Sequence, residues 1–142
     1  MSMTLRVHTL EGRQFTSHND DHGLMQRFGL ALDAICTRIA VPKLSSFRDY
    51  TDAKVNMRKG SDGSGELDPE TGSSYRIDDM SWFSAADGLS TLSAVRARLT
   101  AGDIDGIPPN KISDLISELD SCIAKLTGPA SSGGKFHLAL VM

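Results

Sequence analysis

Ile112, Leu115, Ile116, Leu119, Cys122, Ile123 and Leu126 recur every three or four residues, the spacing that gathers side chains onto one stripe of an α-helix. A stripe this regular has to be covered. The rest of the chain must therefore supply either a sheet face or further helices to bury it against. Asn110 is placed to cap this helix, and Gly128 with Pro129 is the expected stop.

Two more segments carry the same period. Leu24, Met25, Phe28, Leu32, Ile35, Cys36 and Ile39 predict a helix over 21–40, opened by the cap-forming run HNDDHG and closed before Pro42. Ser84 followed by Asp87 resembles a capping box, and Leu89, Leu92, Val95 and Leu99 mark one face of a helix over 85–101. Elsewhere the period is two. Met3, Leu5 and Val7 alternate with Thr4, Arg6 and His8, and LEGR supplies a turn into Gln14, Phe15 and Thr16, so the chain opens on a hairpin. AKVNMR and SYRID are short β-compatible runs on either side of a Gly/Ser/Asp-rich stretch, which predicts a second hairpin with a flexible tip at about 59–74. KFHLALVM is apolar enough to be a strand covered on both faces.

The order ββ, α, ββ, α, α, β does not alternate strictly, which disfavours a doubly wound parallel sheet. The expected fold is α+β: a small mixed or antiparallel sheet, made of two hairpins plus a C-terminal strand, packed against about three amphipathic helices. The first and last segments are both strand-like and should pair in or near the middle of the sheet. A chain of 142 residues suits one domain spanning 1–142, since a domain near that size buries roughly 70% of the surface its unfolded chain exposes.

Charge and composition exclude several classes. A net charge of −3 offers no reason to bind nucleic acid, which needs clustered Lys and Arg that release counterions. No window approaches the roughly 18 apolar residues of a membrane span. MSMTLRVHTL lacks the basic segment and apolar core of a signal peptide. Two cysteines, Cys36 and Cys122, both inside helical patterns, suit free thiols in a reducing compartment. The expectation is a cytoplasmic protein with no cofactor.

Acidic residues are unevenly placed. Between Ser61 and Asp87, Asp62, Glu66, Asp68, Glu70, Asp78, Asp79 and Asp87 stand against Arg76 alone. Within that run, DGSGELD fits positions 3 to 9 of a helix-loop-helix calcium loop, with Asp62, Ser64 and Gly65 in register. Both ends fail, because Gly60 falls at position 1 and Thr71 at position 12, where a bidentate acid is required. The stretch is expected to form a hairpin tip, and a weak nonspecific cation site is what remains of the calcium resemblance.

HNDDH brings His18, Asp21 and His22 within one turn. An i,i+4 histidine pair can grip a divalent metal, yet Asn and Asp at a helix start are already explained by capping. Asp78 and Asp79 beside Trp82 are adjacent residues that point apart, which argues against a paired-carboxylate catalyst. A Trp flanked by carboxylates has instead the composition of a protein-binding hot spot. No nucleophile elbow or phosphate-binding loop occurs. His8 and His137 could meet on neighbouring strands, although such histidines ordinarily face solvent or a sheet edge.

The leading expectation is a protein-binding domain of the inhibitor or adaptor kind, in size, charge and layout comparable to bacterial immunity proteins. It would hold a basic protein partner through Asp62, Glu66, Asp68, Glu70, Asp78, Asp79 and Trp82. The alternatives are a small metal-dependent enzyme or metal-binding protein using His18, Asp21 and His22, and a structural subunit of a homo-oligomer.

Overall fold

The computed structural model describes residues 3–51, 67–72 and 75–141. The chain is an α+β fold. Strands β1 (Thr4–Glu11), β2 (Gln14–Ser17), β3 (Arg48–Asp49), β4 (Phe83–Ser84) and β5 (Lys135–Val141) form one mixed sheet, and helices α1 (Gly23–Arg27), α2 (Gly29–Arg38), α3 (Ala85–Thr100) and α4 (Pro109–Ser131) accompany it. The order is β2-β1-β5-β3, with β4 also on β5. Only the β3–β5 pair is parallel among these. As expected, the terminal strands pair at the centre, from Thr4 opposite Val141 to Leu10 opposite Lys135. Gly12, at φ +62°, takes the left-handed turn of the β1–β2 hairpin without a Cβ penalty.

Register decides which side chains share a face. Leu5 with Leu140, Val7 with Leu138 and Thr9 with Phe136 lie on one side, where Leu92, Val95 and Leu99 of α3 and Leu115, Leu119, Cys122 and Leu126 of α4 complete the main core. The approach is tightest at Gly88 of α3, where an added Cβ would come within 2.2 Å of the Phe136 ring. His8, His137, Leu10 and Ala139 lie on the other side. Tyr75, Ile77 and Met80, like Leu10 and Ala139, are buried outside the main core cluster.

Three local expectations are corrected. The return arm of the second hairpin contains a 3₁₀ turn, Ile77–Asp79, because the Asp79 carboxylate accepts from the Arg76 N–H at 2.8 Å and closes the chain on itself. The first arm, 53–58, lies outside the described residues.

The helix over 21–40 is two pieces that meet at Phe28, and His22 at its start makes no side-chain cap bond. Glu118 of α4 does the capping instead, accepting from the backbone N–H groups of Leu24 and Met25 at 3.1 and 2.9 Å. Helix α4 begins at Pro109, uncapped by Asn110, and runs through Gly128 and Pro129. It ends where Gly133 turns left-handed at φ +74° and Gly134 N–H donates to the Pro129 carbonyl, a Schellman closure.

Candidate functional site

The acidic run is fastened down as well as exposed. Arg13, at the tip of the β1–β2 hairpin, donates to Glu70 through Nη2 at 2.7 Å and Nε at 3.2 Å, and to Asp78 through Nη1 at 3.0 Å. Two carboxylates on one guanidinium hold its proton above the usual arginine range. Asp68 closes its own turn by accepting from the N–H groups of Glu70 and Thr71 at 2.9 and 3.3 Å. Asp78 and Asp79 nevertheless keep 73% and 43% of their side-chain surface in solvent. Asp62 and Glu66, and with them most of the calcium-like stretch, lie outside the described residues, as does part of the 59–74 tip.

Trp82 is half-buried. Its indole N–H donates to the Ile77 carbonyl at 2.9 Å, and its ring lies 4.3 Å from that of His137 and 6.0 Å from that of Phe15. It anchors the segment that precedes β4 to the outer face of the sheet.

Beneath it, the cross-strand pair His8 and His137 does come together, and in the interior rather than at an edge. Their Nδ1 and Nε2 atoms are 2.9 Å apart, with exposures of 5% and 0%. His137 Nδ1 faces the Ser81 carbonyl at 2.8 Å and must donate to it, leaving Nε2 to accept the His8 Nδ1 proton. Burial is the main reason the pair resists protonation: it lowers His8 to about 3, helped by His137, and His137 to about 4 against the opposing pull of Asp49. Asp49 stands 3.9 Å from His137 Nε2 and spends its oxygens elsewhere, on Ser81 N–H at 2.8 Å, Thr51 N–H at 3.1 Å and Thr51 Oγ1 at 3.0 Å. With both rings neutral, Asp49 and His137 are not a salt bridge. A neutral, weakly basic pair sealed under Trp82 is suited to holding β1, β5 and the 75–82 segment in register.

His18, Asp21 and His22 are not brought onto one point. Asp21 accepts from Arg6 Nε at 2.8 Å. His22 is 1% exposed, with Nδ1 on the Leu5 carbonyl at 2.9 Å and Nε2 on Ser121 Oγ at 3.3 Å. His18 lies 3.4 Å from Thr9 Oγ1, and burial lowers its proton affinity. Among the described residues no group of three or more His, Cys, Asp or Glu is placed to hold a metal ion.

Two features escaped sequence reading. Arg13 read only as a turn residue, although it is the cation that the acidic run clamps. Ser121 and Lys125 gave no signal; they complete a chain in which Asp20 receives Lys125 at 2.9 Å, Lys125 donates to Ser121, and Ser121 meets His22. Burial pushes the Cys122 thiol up to about 12 and raises Cys36 as well, so both stay protonated at neutral pH. No helix among the described residues is long and apolar enough to cross a membrane. No protein-family model, no curated protein and no solved structure matches this chain.

Proposed function

We propose that this chain is a small protein-binding domain of the inhibitor or adaptor kind, which captures a basic partner through the acidic segment lying over the outer face of its sheet. The observation that carries the reading is the Arg13 clamp. A run of carboxylates with no folding role would be free to move, whereas here Glu70 and Asp78 are tied to the hairpin tip while Asp78 and Asp79 still face solvent. Holding charges in place before contact lowers the ordering cost of binding, and a fixed negative patch steers an oppositely charged partner. Asp68, Glu70, Asp78 and Asp79 are therefore assigned the electrostatic part of the contact. Trp82 is assigned a supporting part, as the wedge that fixes the segment's height above the sheet.

The test is affinity capture from the native host at low salt with the parent chain and with Asp78→Asn/Asp79→Asn, followed by identification of what is retained. A basic protein held by the parent, lost from the variant and released by moderate salt is the expected result. Equal recovery of every retained protein on both baits, at unchanged melting temperature, would overturn the reading.

A further inference from the structure

Three polar side chains meet where α4 passes the start of α1. Ser121 and Lys125, four residues apart, share one face of α4. His22 is held against them by its own backbone, whose N–H donates to the Leu5 carbonyl at 3.0 Å and to Thr4 Oγ1 at 2.9 Å. The imidazole is fixed as firmly. Its Nδ1 lies 2.9 Å from the Leu5 carbonyl, which can only accept, so Nδ1 carries the proton and Nε2 presents a lone pair. Ser121 Oγ, 3.3 Å from that Nε2, is therefore the donor. Lys125 donates to the same oxygen and is itself paired with Asp20 at 2.9 Å.

A serine whose proton points at an imidazole lone pair, and whose oxygen lies against an ammonium, is arranged for nucleophilic attack. The imidazole takes the proton as the oxygen bonds, and the ammonium stabilises the negative charge that develops. Ser117, one turn earlier on the same helix and more exposed, donates instead to the Ser113 carbonyl at 3.3 Å. Ser121 keeps part of its surface in solvent, the access that a small acyl donor needs.

We propose that Ser121 is a nucleophile, with His22 Nε2 as its base and Lys125 beside its oxygen, that takes a small acyl group from an ester whose leaving group is a stable anion. The Oγ–carbonyl carbon bond forms as the proton moves from Oγ to Nε2. The bond from that carbon to the leaving oxygen breaks, its electron pair departs with the anion, and His22 gives the proton to solvent. The product is acyl-Ser121. This chemistry is independent of the acidic segment on the outer face.

The experiment treats the intact chain with 4-nitrophenyl acetate, follows nitrophenolate by absorbance, and maps the acetyl positions over time by tandem mass spectrometry. Ser121 should acetylate about a hundredfold faster than Ser117, the lower end of what a positioned base supplies. Exposure alone would reverse that order, because Ser117 is the more open of the two. The preference should vanish in urea, where the unfolded chain no longer holds His22 against Ser121, and His22→Gln should bring the Ser121 rate down to that of Ser117. Acetylation confined to lysines and the amino terminus, equal rates at Ser117 and Ser121 in the folded parent, or a preference that persists in urea overturns the proposal. A fast Ser121 in His22→Gln overturns it as well. The comparison of the two serines is made within the parent and so does not depend on whether a variant folds.

Discussion

At the scale of the residue, the interior of this protein is set by how neutral histidines and one carboxylate are satisfied. His8 and His137 hold folded values of about 3 and about 4, against 6.5 for an open chain. Between those limits the unfolded chain binds the extra protons, so the stabilisation is complete above about pH 6.5 and is lost as pH falls towards about 4. Each such proton contributes a slope of about 1.4 kcal/mol per pH unit. Urea melts from pH 7 to pH 5 should show this loss, and His8→Gln should reduce its slope by about half, His137 supplying the rest; a parent whose stability is level across that range contradicts the buried neutral pair. Asp49 is 4% exposed and receives Ser81 and Thr51. Asp49→Ala leaves those donors stranded and should cost about 3 kcal/mol in the same measurement. The meeting of His8 and His137 was half legible. Strand pairing of the termini follows from the period-2 pattern, but their burial depends on Trp82 and the segment after Tyr75, whose lie over the sheet no local pattern states.

Elements whose signal is local were read well, and those shaped from a distance were not. The Ile112–Leu126 stripe is a matter of spacing alone, and Leu115, Leu119, Cys122 and Leu126 are all 0% exposed. Leu119→Ala should lower unfolding free energy by about 2 to 5 kcal/mol, read by chemical denaturation. A change under about 1 kcal/mol would mean that the stripe faces solvent. Ser84 caps α3 as its position suggested, accepting from Asp87 N–H at 3.3 Å. The first helix was misjudged because its cap comes from Glu118, ninety-odd residues later, and its interruption falls at Phe28, beside the Gly29 that accommodates Arg48. Glu118→Ala should cost about 1 kcal/mol, and hydrogen exchange at Leu24 and Met25 should quicken more than at α3. Uniform exchange would assign the cap elsewhere.

For the whole molecule, the mixed sheet, its central terminal strands and its helix-covered face follow from element order and periodicity, whereas the covering of the outer face does not. SYRID reads as β-compatible, yet its backbone closes into a 3₁₀ turn because Asp79 bonds Arg76, and the acidic run reads as a uniform patch although Glu70 and Asp78 are clamped by Arg13. The charge was legible as composition; the cation that organises it was not, since it sits on another element. The proposed function requires that Asp78, held by Arg13, and Asp79, held by Arg76, meet a basic partner already ordered. Its most direct measurement is the association rate with the captured partner as ionic strength is raised, for the parent and for Asp78→Asn/Asp79→Asn. Exposed charges are screened over about 8 Å at physiological salt. The account therefore predicts fast association at low salt that slows steeply for the parent, a slower and flatter rate for the variant, and convergence of the two at high salt. Superimposable rates for parent and variant at every salt concentration would contradict it.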